Sequence, residues 1–327
     1  MNESIQLPDL HVARYRFTLN LLEPVHLPPY KGSALRGGFG HTLKRLVCYQ
    51  SSGQCDACGL GNDCVYGYLF RTSPPEDAEV LSNLTAVARP FVIQPPLDRR
   101  PTFEPGERLA FHVVLIGRGI AYLPYFVLVF QQLGEAGLGR TRGRFTLQQV
   151  TALDLDVGPG GDQTVFDAAD GTVYDSDLSI GAAGLKAHAA TLPPDRLTLD
   201  LVTPTRLKHR GRWVEDGPPF HVLVRRLLDR VSSLSYFHCG QRWDIDFRGW
   251  VDRAQEVRTA DASTGWVRWE RYSGRQRQRV RMGGLVGRVT YEGDLRPYLP
   301  LLALGELVHV GKGTVFGNGQ YGIGSRE

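Results

Sequence analysis

Two stretches of the chain alternate apolar and polar residues with the period of a half-buried strand: Tyr15, Phe17, Leu19, Leu21, and later Leu197, Leu199, Leu201. Each runs into the same pattern, L-x-L-x-x-P-x-x-L, formed by Leu19, Leu21, Pro24 and Leu27 in one case and by Leu199, Leu201, Pro204 and Leu207 in the other. A helix is predicted after both. The first runs from about Ser33 to Tyr49 with an apolar stripe of Leu35, Phe39, Leu43 and Leu46. The second starts after Pro218-Pro219, with Leu223, Leu227, Val231 and Leu234 on one face. Both halves close with a helix-type segment, a glycine-rich turn and a short strand. The turns are Gly137-Leu-Gly-Arg-Thr-Arg-Gly-Arg-Phe145 and Gly311-Lys-Gly-Thr-Val-Phe-Gly-Asn-Gly-Gln-Tyr321.

Strand, helix, further strands, helix, glycine loop and final strand is the order of a βαββαβ unit. The pattern therefore predicts an α+β fold of two tandem ferredoxin-like (RRM-like) units. The segment Asp154 to Pro194, acidic and rich in Gly, Ala and Asp, holds the boundary. It is placed near residue 190, giving an N-terminal domain of 1–190 with a cysteine-rich insertion and a C-terminal domain of 191–327. The 327 residues agree with two domains at roughly 150 each.

Composition narrows the function classes. Hydrophobic residues make up 42% and charged residues 22%, which excludes fibrous and low-complexity classes. Net charge is only +4, yet 33 of the 38 cationic side chains are arginine, the cation suited to phosphate forks and base stacking. A GC-rich genome explains the same bias. The N-terminus has neither a basic nor an apolar signal region, so a cytoplasmic protein is expected. The longest nearly apolar stretch, Ile120 to Phe130, is interrupted by Pro124 and too short for a membrane span, and reads as a core helix.

Two nucleotide-binding patterns are imitated and rejected. Gly317-Asn-Gly319-Gln-Tyr-Gly322 matches G-x-G-x-x-G, but the remaining residues leave no room for the helix that must follow. Gly305 to Gly311-Lys312 has one spacer too many for a P-loop, and Gly313 replaces the hydroxyl that would hold magnesium. No nucleotide cofactor is expected. Closely spaced glycines can still present backbone N–H groups to a phosphate chain, with Arg140, Arg142, Arg144 and Lys312 adding charge. A plain tight turn is the alternative for either loop.

Cys48, Cys55, Cys58 and Cys64 lie within 17 residues and include a Cys-x-x-Cys knuckle, a pattern suited to a closed, structural zinc site. An iron–sulfur cluster or free thiols are the alternatives. Cys239 stands apart and is expected to be buried. On the first helix His41 points away from the apolar stripe, with Gly37 and Gly38 one turn before it and Lys44 and Arg45 one turn after. Three helical glycines, each costing about 1 kcal/mol against alanine, suggest a place where something must come close. An imidazole flanked by cations can exchange protons with a phosphodiester; an ordinary surface histidine is the other reading. His26 and His221 are weaker candidates, and Tyr30 offers a hydroxyl. Finally, Arg275, Arg277, Arg279 and Arg281 alternate so that a strand would carry all four guanidinium groups on one face, with Trp266, Trp269 and Tyr272 just upstream. Such a comb suits a nucleic-acid backbone with stackable bases, or protects a solvated edge strand.

With a K-G-x-x-L-R-G-x-x-G-H helix beginning at Lys31, a cysteine cluster and glycine loops closing both halves, the sequence resembles the CRISPR-associated precursor-RNA endoribonucleases, the Cas6 family of the RAMP superfamily. The most specific element is the terminal loop of Gly311, Lys312, Gly313, Gly317 and Gly319; Asn318 stands where that pattern leads one to expect an apolar or aromatic residue. The resemblance implies cleavage of CRISPR repeat RNA by attack of the 2′-OH on its own phosphate, without a metal, giving 2′,3′-cyclic phosphate and 5′-OH ends. It points to His41 as catalytic, with Tyr30 and Lys44 in support and Arg36 or Lys44 neutralising the phosphate. The glycine loops and the arginine comb would then hold the RNA, and a CRISPR effector complex would receive the product. Two rival expectations are a non-catalytic RAMP subunit that binds guide RNA in an effector complex, and a zinc-stapled adaptor with no role in RNA.

Overall fold

The computed structural model describes residues 4–50, 54–55, 58–74, 80–81, 87–156, 158–273 and 278–324. Its chain divides into two compact units, one of residues 12–179 with 237–239, the other of residues 1–11, 180–236 and 240–327. The division falls at 179/180, ahead of the position expected from composition, and it moves the first eleven residues to the second unit. Local bonding explains both differences: the Ile5 N–H donates to the Pro297 carbonyl at 2.9 Å, and the helix Ala182–Ala189 packs on Leu299–Val308.

The first unit holds strands β1 (Val12–Leu21) and β2 (Val25–His26), helices α1 (Gly32–Val47) and α2 (Val65–Arg71), strands β3 (Phe91–Gln94), β4 (Thr102–Phe103) and β5 (Arg108–Ile116), helix α3 (Leu123–Ala136), and strands β6 (Phe145–Leu153) and β7 (Gln163–Asp167). Its sheet is antiparallel in the order β3-β5-β1-β6-β7, so the alternating strand read from the sequence lies at the centre. Tyr15, Phe17, Leu19 and Leu21 are all buried, while Arg14, Arg16, Thr18 and Asn20 line the other face. Phe39 of α1 is fully buried; its ring stacks on Phe126 of α3 at 4.2 Å and meets Phe70 of α2 at 5.6 Å and Phe91 of β3 at 5.9 Å. Truncating such a ring costs about 3–5 kcal/mol.

The second unit holds α4 (Ala182–Ala189), β8 (Arg196–Thr205), β9 (Lys208–His209), β10 (Arg212–Trp213), α5 (Phe220–Cys239), α6 (Phe247–Arg253), β11 (Arg258–Val267), β12 (Glu270–Ser273), β13 (Gln278–Arg281), β14 (Gly284–Glu292), α7 (Leu299–Val308) and β15 (Tyr321–Ile323). Its main sheet is antiparallel in the order β11-β14-β8-β15. The last three residues of α5 belong to the first unit. The chain is thus a mixed α+β protein with antiparallel sheets.

Several expectations are corrected in detail. Helix α1 ends at Val47, and Leu46, in its last turn past the aromatic cluster, is 39% exposed instead of completing the apolar stripe. Pro124 does not interrupt α3 but sits in its first turn, where its missing N–H costs no helical bond. Cys239 is half-buried, not buried. Among the described residues no helix is long and apolar enough to cross a membrane.

Candidate nucleic-acid interface

Helix α1 is anchored by a buried lysine. Lys31, with no exposed surface, occupies the N-cap position without a side-chain capping bond; its ammonium donates to the Asp98 carbonyl and lies 5.3 Å from the Phe103 ring centre. Burial pulls its pKa down, Asp98 opposes that shift and Arg100 adds to it. The three interior glycines of the helix, Gly37, Gly38 and Gly40, then separate by role. A Cβ on Gly40 would stand 2.7 Å from Phe70 and one on Gly38 2.8 Å from Leu133, so α2 and α3 occupy two of the three positions. Of these three, Gly37 alone opens onto free space.

That space is a groove of about 360 Å³ lined by Pro28, Ser33, Ala34, Gly37 and Gly38 of the α1 side and by Leu133 and the loop residues Gly137 to Arg140 and Arg142. The first glycine loop is therefore brought against the first helix. Gly139, at φ 79°, approaches the His26 carbonyl so closely that a Cβ would be 2.3 Å from it, and the next N–H, of Arg140, donates to the same carbonyl at 2.9 Å. Thr141 fastens the turn from its other side, its Oγ1 accepting from the His26 N–H at 3.1 Å and donating to the Pro24 carbonyl at 2.9 Å. Arg140 and Arg142 are exposed, Arg142 in the left-handed region at φ 52°. Arg144 turns back to Glu23, with its Nε 2.7 Å from Oε1 and its backbone N–H 3.0 Å from Oε2, so two of the three loop arginines lie on the groove.

His41 is exposed on the helix face that begins with Ala34, Gly37 and Gly38, one turn beyond the groove. Lys44 lies 5.7 Å from the Tyr66 ring and Arg36 4.5 Å from the Phe70 ring, both on the flank packed by α2. At 100° per residue Arg36 points about 140° around the helix from His41, so these two do not converge. Tyr30 precedes the helix and lies about 15 Å along its axis from His41. His26 serves the loop through its backbone, while its ring Nδ1 is 3.2 Å from Thr102 Oγ1. His221 belongs to the second unit, its ring 5.4 Å from that of His209.

In the second unit the terminal loop repeats the device. Gly311, at φ 84°, would place a Cβ 2.4 Å from the Arg206 carbonyl, and the next N–H, of Lys312, donates to that carbonyl at 3.1 Å. His26 and Arg206 each stand two residues after the proline of the internal repeat. Gly313, Gly317 and Gly319 also have positive φ. Asn318, the unexpected residue, is fully buried; its Nδ2 donates to the Met282 carbonyl at 3.3 Å and its own carbonyl lies 3.1 Å from His309 Nδ1. Strands β12 and β13 form a hairpin apart from the main sheet, pairing Tyr272 with Arg279 and Glu270 with Arg281. Arg279 and Arg281 are exposed. Arg275 and Arg277 lie outside the described residues.

The four cysteines surround one cavity of about 300 Å³ between α1 and α2, with Cys48 closing α1 and Cys64 opening α2. Among the described residues no group of three or more His, Cys, Asp or Glu side chains is arranged to hold a metal, so the expected zinc gains no support. A cationic run that the sequence patterns above do not include, Arg206-Leu-Lys-His-Arg-Gly-Arg-Trp213, lies beside the terminal loop. Its density of arginine and lysine was the available signal.

Residues 10–178 match the AF_1859_N family, described as an N-terminal domain, and residues 199–321 match the family of the CRISPR-associated endoribonuclease Cas6. Residues 199–321 thus carry a Cas6-family domain. An uncharacterized protein of Archaeoglobus fulgidus is 28% identical to this chain over 337 residues, covering 99% of it and all of the relative. Among solved structures, a Cas6 product complex aligns with TM-score 0.56 and 16% identity, covering 95% of this chain and 99% of that one. Thermus thermophilus Cas6 aligns with TM-score 0.53 and 15% identity, covering 96% and 98%. A partial Cas6-RT-Cas1–Cas2 complex aligns with TM-score 0.58 and 14% identity; 98% of this chain is covered, but it spans only 46% of that longer chain. At these identities the structural likeness is one of fold.

Proposed function

We propose that this chain as a whole is a Cas6-type, metal-independent endoribonuclease that cuts CRISPR repeat RNA by attack of the 2′-OH on the adjacent phosphate, leaving a 2′,3′-cyclic phosphate and a 5′-OH. The strand orders β3-β5-β1-β6 and β11-β14-β8-β15, each with the first strand of its unit inside, support reading both units as ferredoxin-like. The observation that carries the functional reading is the groove. It joins the glycine face of α1 to a loop bearing Arg140 and Arg142, and His41 stands one turn along the same face. In-line attack needs a proton acceptor at the 2′-OH, a donor at the leaving 5′-oxygen and cations at the phosphoryl oxygens. His41 supplies the proton exchange; Arg140 and Arg142 stabilise the charge. Lys44, three residues along, supports from the flank, and Tyr30 binds RNA at the other end of the helix. Lys312, the terminal glycine loop and the β12–β13 hairpin with Arg279 and Arg281 bind further RNA.

The deciding experiment is incubation with repeat RNA in excess EDTA, beside a substrate with one 2′-deoxy sugar at the cut. A single cut that survives EDTA and disappears with the deoxy sugar is expected. Tight binding without any cut would instead make the chain a guide-RNA-binding subunit. The partner class in this reading is a CRISPR protein assembly; the likeness to the Cas6-RT-Cas1–Cas2 chain supports one of that kind.

A further inference from the structure

The second unit carries a basic element that neither the terminal glycine loop nor the arginine comb includes. Strands β9 and β10 form a small hairpin, pairing His209 with Arg212 and Lys208 with Trp213. Its two-residue tip is Arg210 at φ 48° and Gly211 at φ 81°, both in the left-handed region that such a turn requires. Glycine fits there without cost; arginine does not, and Asn or Asp would be the ordinary choice. A residue held against its backbone preference at an exposed tip calls for a reason outside the turn itself.

The tip projects from a prepared cationic surface. Trp213 is the platform: the Arg206 guanidinium lies 4.4 Å from its ring centre and the Lys208 ammonium 4.8 Å. Arg206 links three pieces at once, because its carbonyl receives the Lys312 N–H and its Nη1 donates to the Arg281 carbonyl at 3.1 Å. The hairpin, the terminal glycine loop and the comb strand are thereby one continuous surface. Arg226 of α5 pins the hairpin from below through two donations to the Lys208 carbonyl, at 3.1 and 2.8 Å, while its own charge is spent on Asp229 at 2.7 Å. Among the described residues none of Arg206, Lys208, Arg210 and Arg212 forms an ion pair with a carboxylate, and Lys208, Arg210 and Arg212 are exposed. Nearby acids are otherwise engaged or at the far end of the run: Asp216 accepts from Thr264 at 2.9 Å and Glu215 follows the hairpin. Burial and the adjoining His209 and Arg210 lower the pKa of His221, as a positive local field requires.

We propose that the β9–β10 hairpin is an arm that grips the phosphodiester backbone of RNA next to the terminal glycine loop, with Lys208, Arg210 and Arg212 as phosphate contacts and Trp213 as the residue that positions Arg206 and Lys208. This rests on the RNA-processing reading above and extends it to a contact element away from the cut. The arm reads charge and not bases, since its exposed donors are three flexible cations.

The test is equilibrium binding, across a salt series, of the repeat RNA and of an unrelated single-stranded RNA of equal length. The variants are the triple Lys208→Ser, Arg210→Ser, Arg212→Ser and the single Arg210→Asn. Asn favours the left-handed turn, so the single variant folds at least as well as the parent. For the triple variant the slope of log affinity against log salt should fall by about two, at about 0.7 per phosphate on a single strand, and affinity should drop about 10–100-fold for both RNAs. Arg210→Asn should remove about one contact from the slope, and Trp213→Phe should keep most of what Trp213→Ala loses. An unchanged slope and affinity in the triple variant would overturn the proposal, as would a loss confined to the repeat RNA, which would mean base reading. If the parent protein binds RNA with the expected slope but never cuts the repeat, the endoribonuclease reading fails while the arm stands.

Discussion

Gly37 and Gly40 lie three residues apart on α1 and make opposite predictions. A methyl group on Gly40 meets the Phe70 ring at 2.7 Å inside the aromatic cluster, so Gly40→Ala should destabilise the fold by about 1–3 kcal/mol. Gly37 faces open groove, and Gly37→Ala should stabilise it by about 1 kcal/mol, as removal of a helical glycine ordinarily does. Chemical denaturation of both variants reads the sign directly. A larger side chain at the same place, Gly37→Leu, should fold yet slow RNA cleavage at least about tenfold by displacing the substrate from the groove. Full activity in that variant would show that the groove is not used. His41→Ala should lower single-turnover cleavage by about two to four orders of magnitude with RNA affinity nearly intact. Unchanged cleavage would move the proton exchange to His26, half-buried and bonded to this loop through its backbone, or to His221.

The strands carry a prediction about pH. His112 of β5 sits opposite Arg16 of β1 on one side and Gln94 of β3 on the other, and burial, with Arg14 and Arg16 adding, pushes its pKa down to about 3. The folded chain therefore holds it neutral, while the unfolded chain takes up a proton below its ordinary value of 6.5. The stability this contributes is whole above that value and is lost as the pH falls from there toward 3. Thermal unfolding between about pH 7.5 and about pH 5 should fall more steeply for the parent than for His112→Gln; equal slopes would place the acid sensitivity elsewhere. The elements also show what the sequence could reveal. The central strands β1 and β8 were legible because one face of each is buried, which imposes the alternation. The edge strand β7 and the helix α4 were not, since Gln163–Asp167 is short and half exposed and Ala182–Ala189 lacks a strong apolar face. The glycine loops were legible as loops. That both close on the carbonyl two residues after the repeat's proline, at His26 and Arg206, was not, because that bond depends on a backbone carbonyl and carries no side-chain signature. The supporting roles of Tyr30 and Arg36 came from the family resemblance, and the helical spacing that sets them about 15 Å along the axis and about 140° around it from His41 is not part of that resemblance.

At the scale of the whole molecule, the proposed function has binding and cutting draw on different residues. His41 and the groove lie in the first unit, whereas Lys312, Arg279, Arg281 and the hairpin tip lie in the second. Phosphate contacts release counterions and so control affinity and its salt dependence, but contribute equally before and after the transition state. Proton exchange at the scissile phosphate does the reverse. Lys312→Ala should therefore weaken RNA binding about threefold to tenfold and flatten the salt dependence by about one contact, with the cleavage rate at saturation unchanged. Combined with His41→Ala, the loss of affinity and the loss of rate should add in free energy, because no step shares both groups. A double variant whose saturated rate falls clearly below that of His41→Ala alone would show that the terminal loop aligns the scissile phosphate as well as holding the strand, and that its N–H groups belong to the reacting centre.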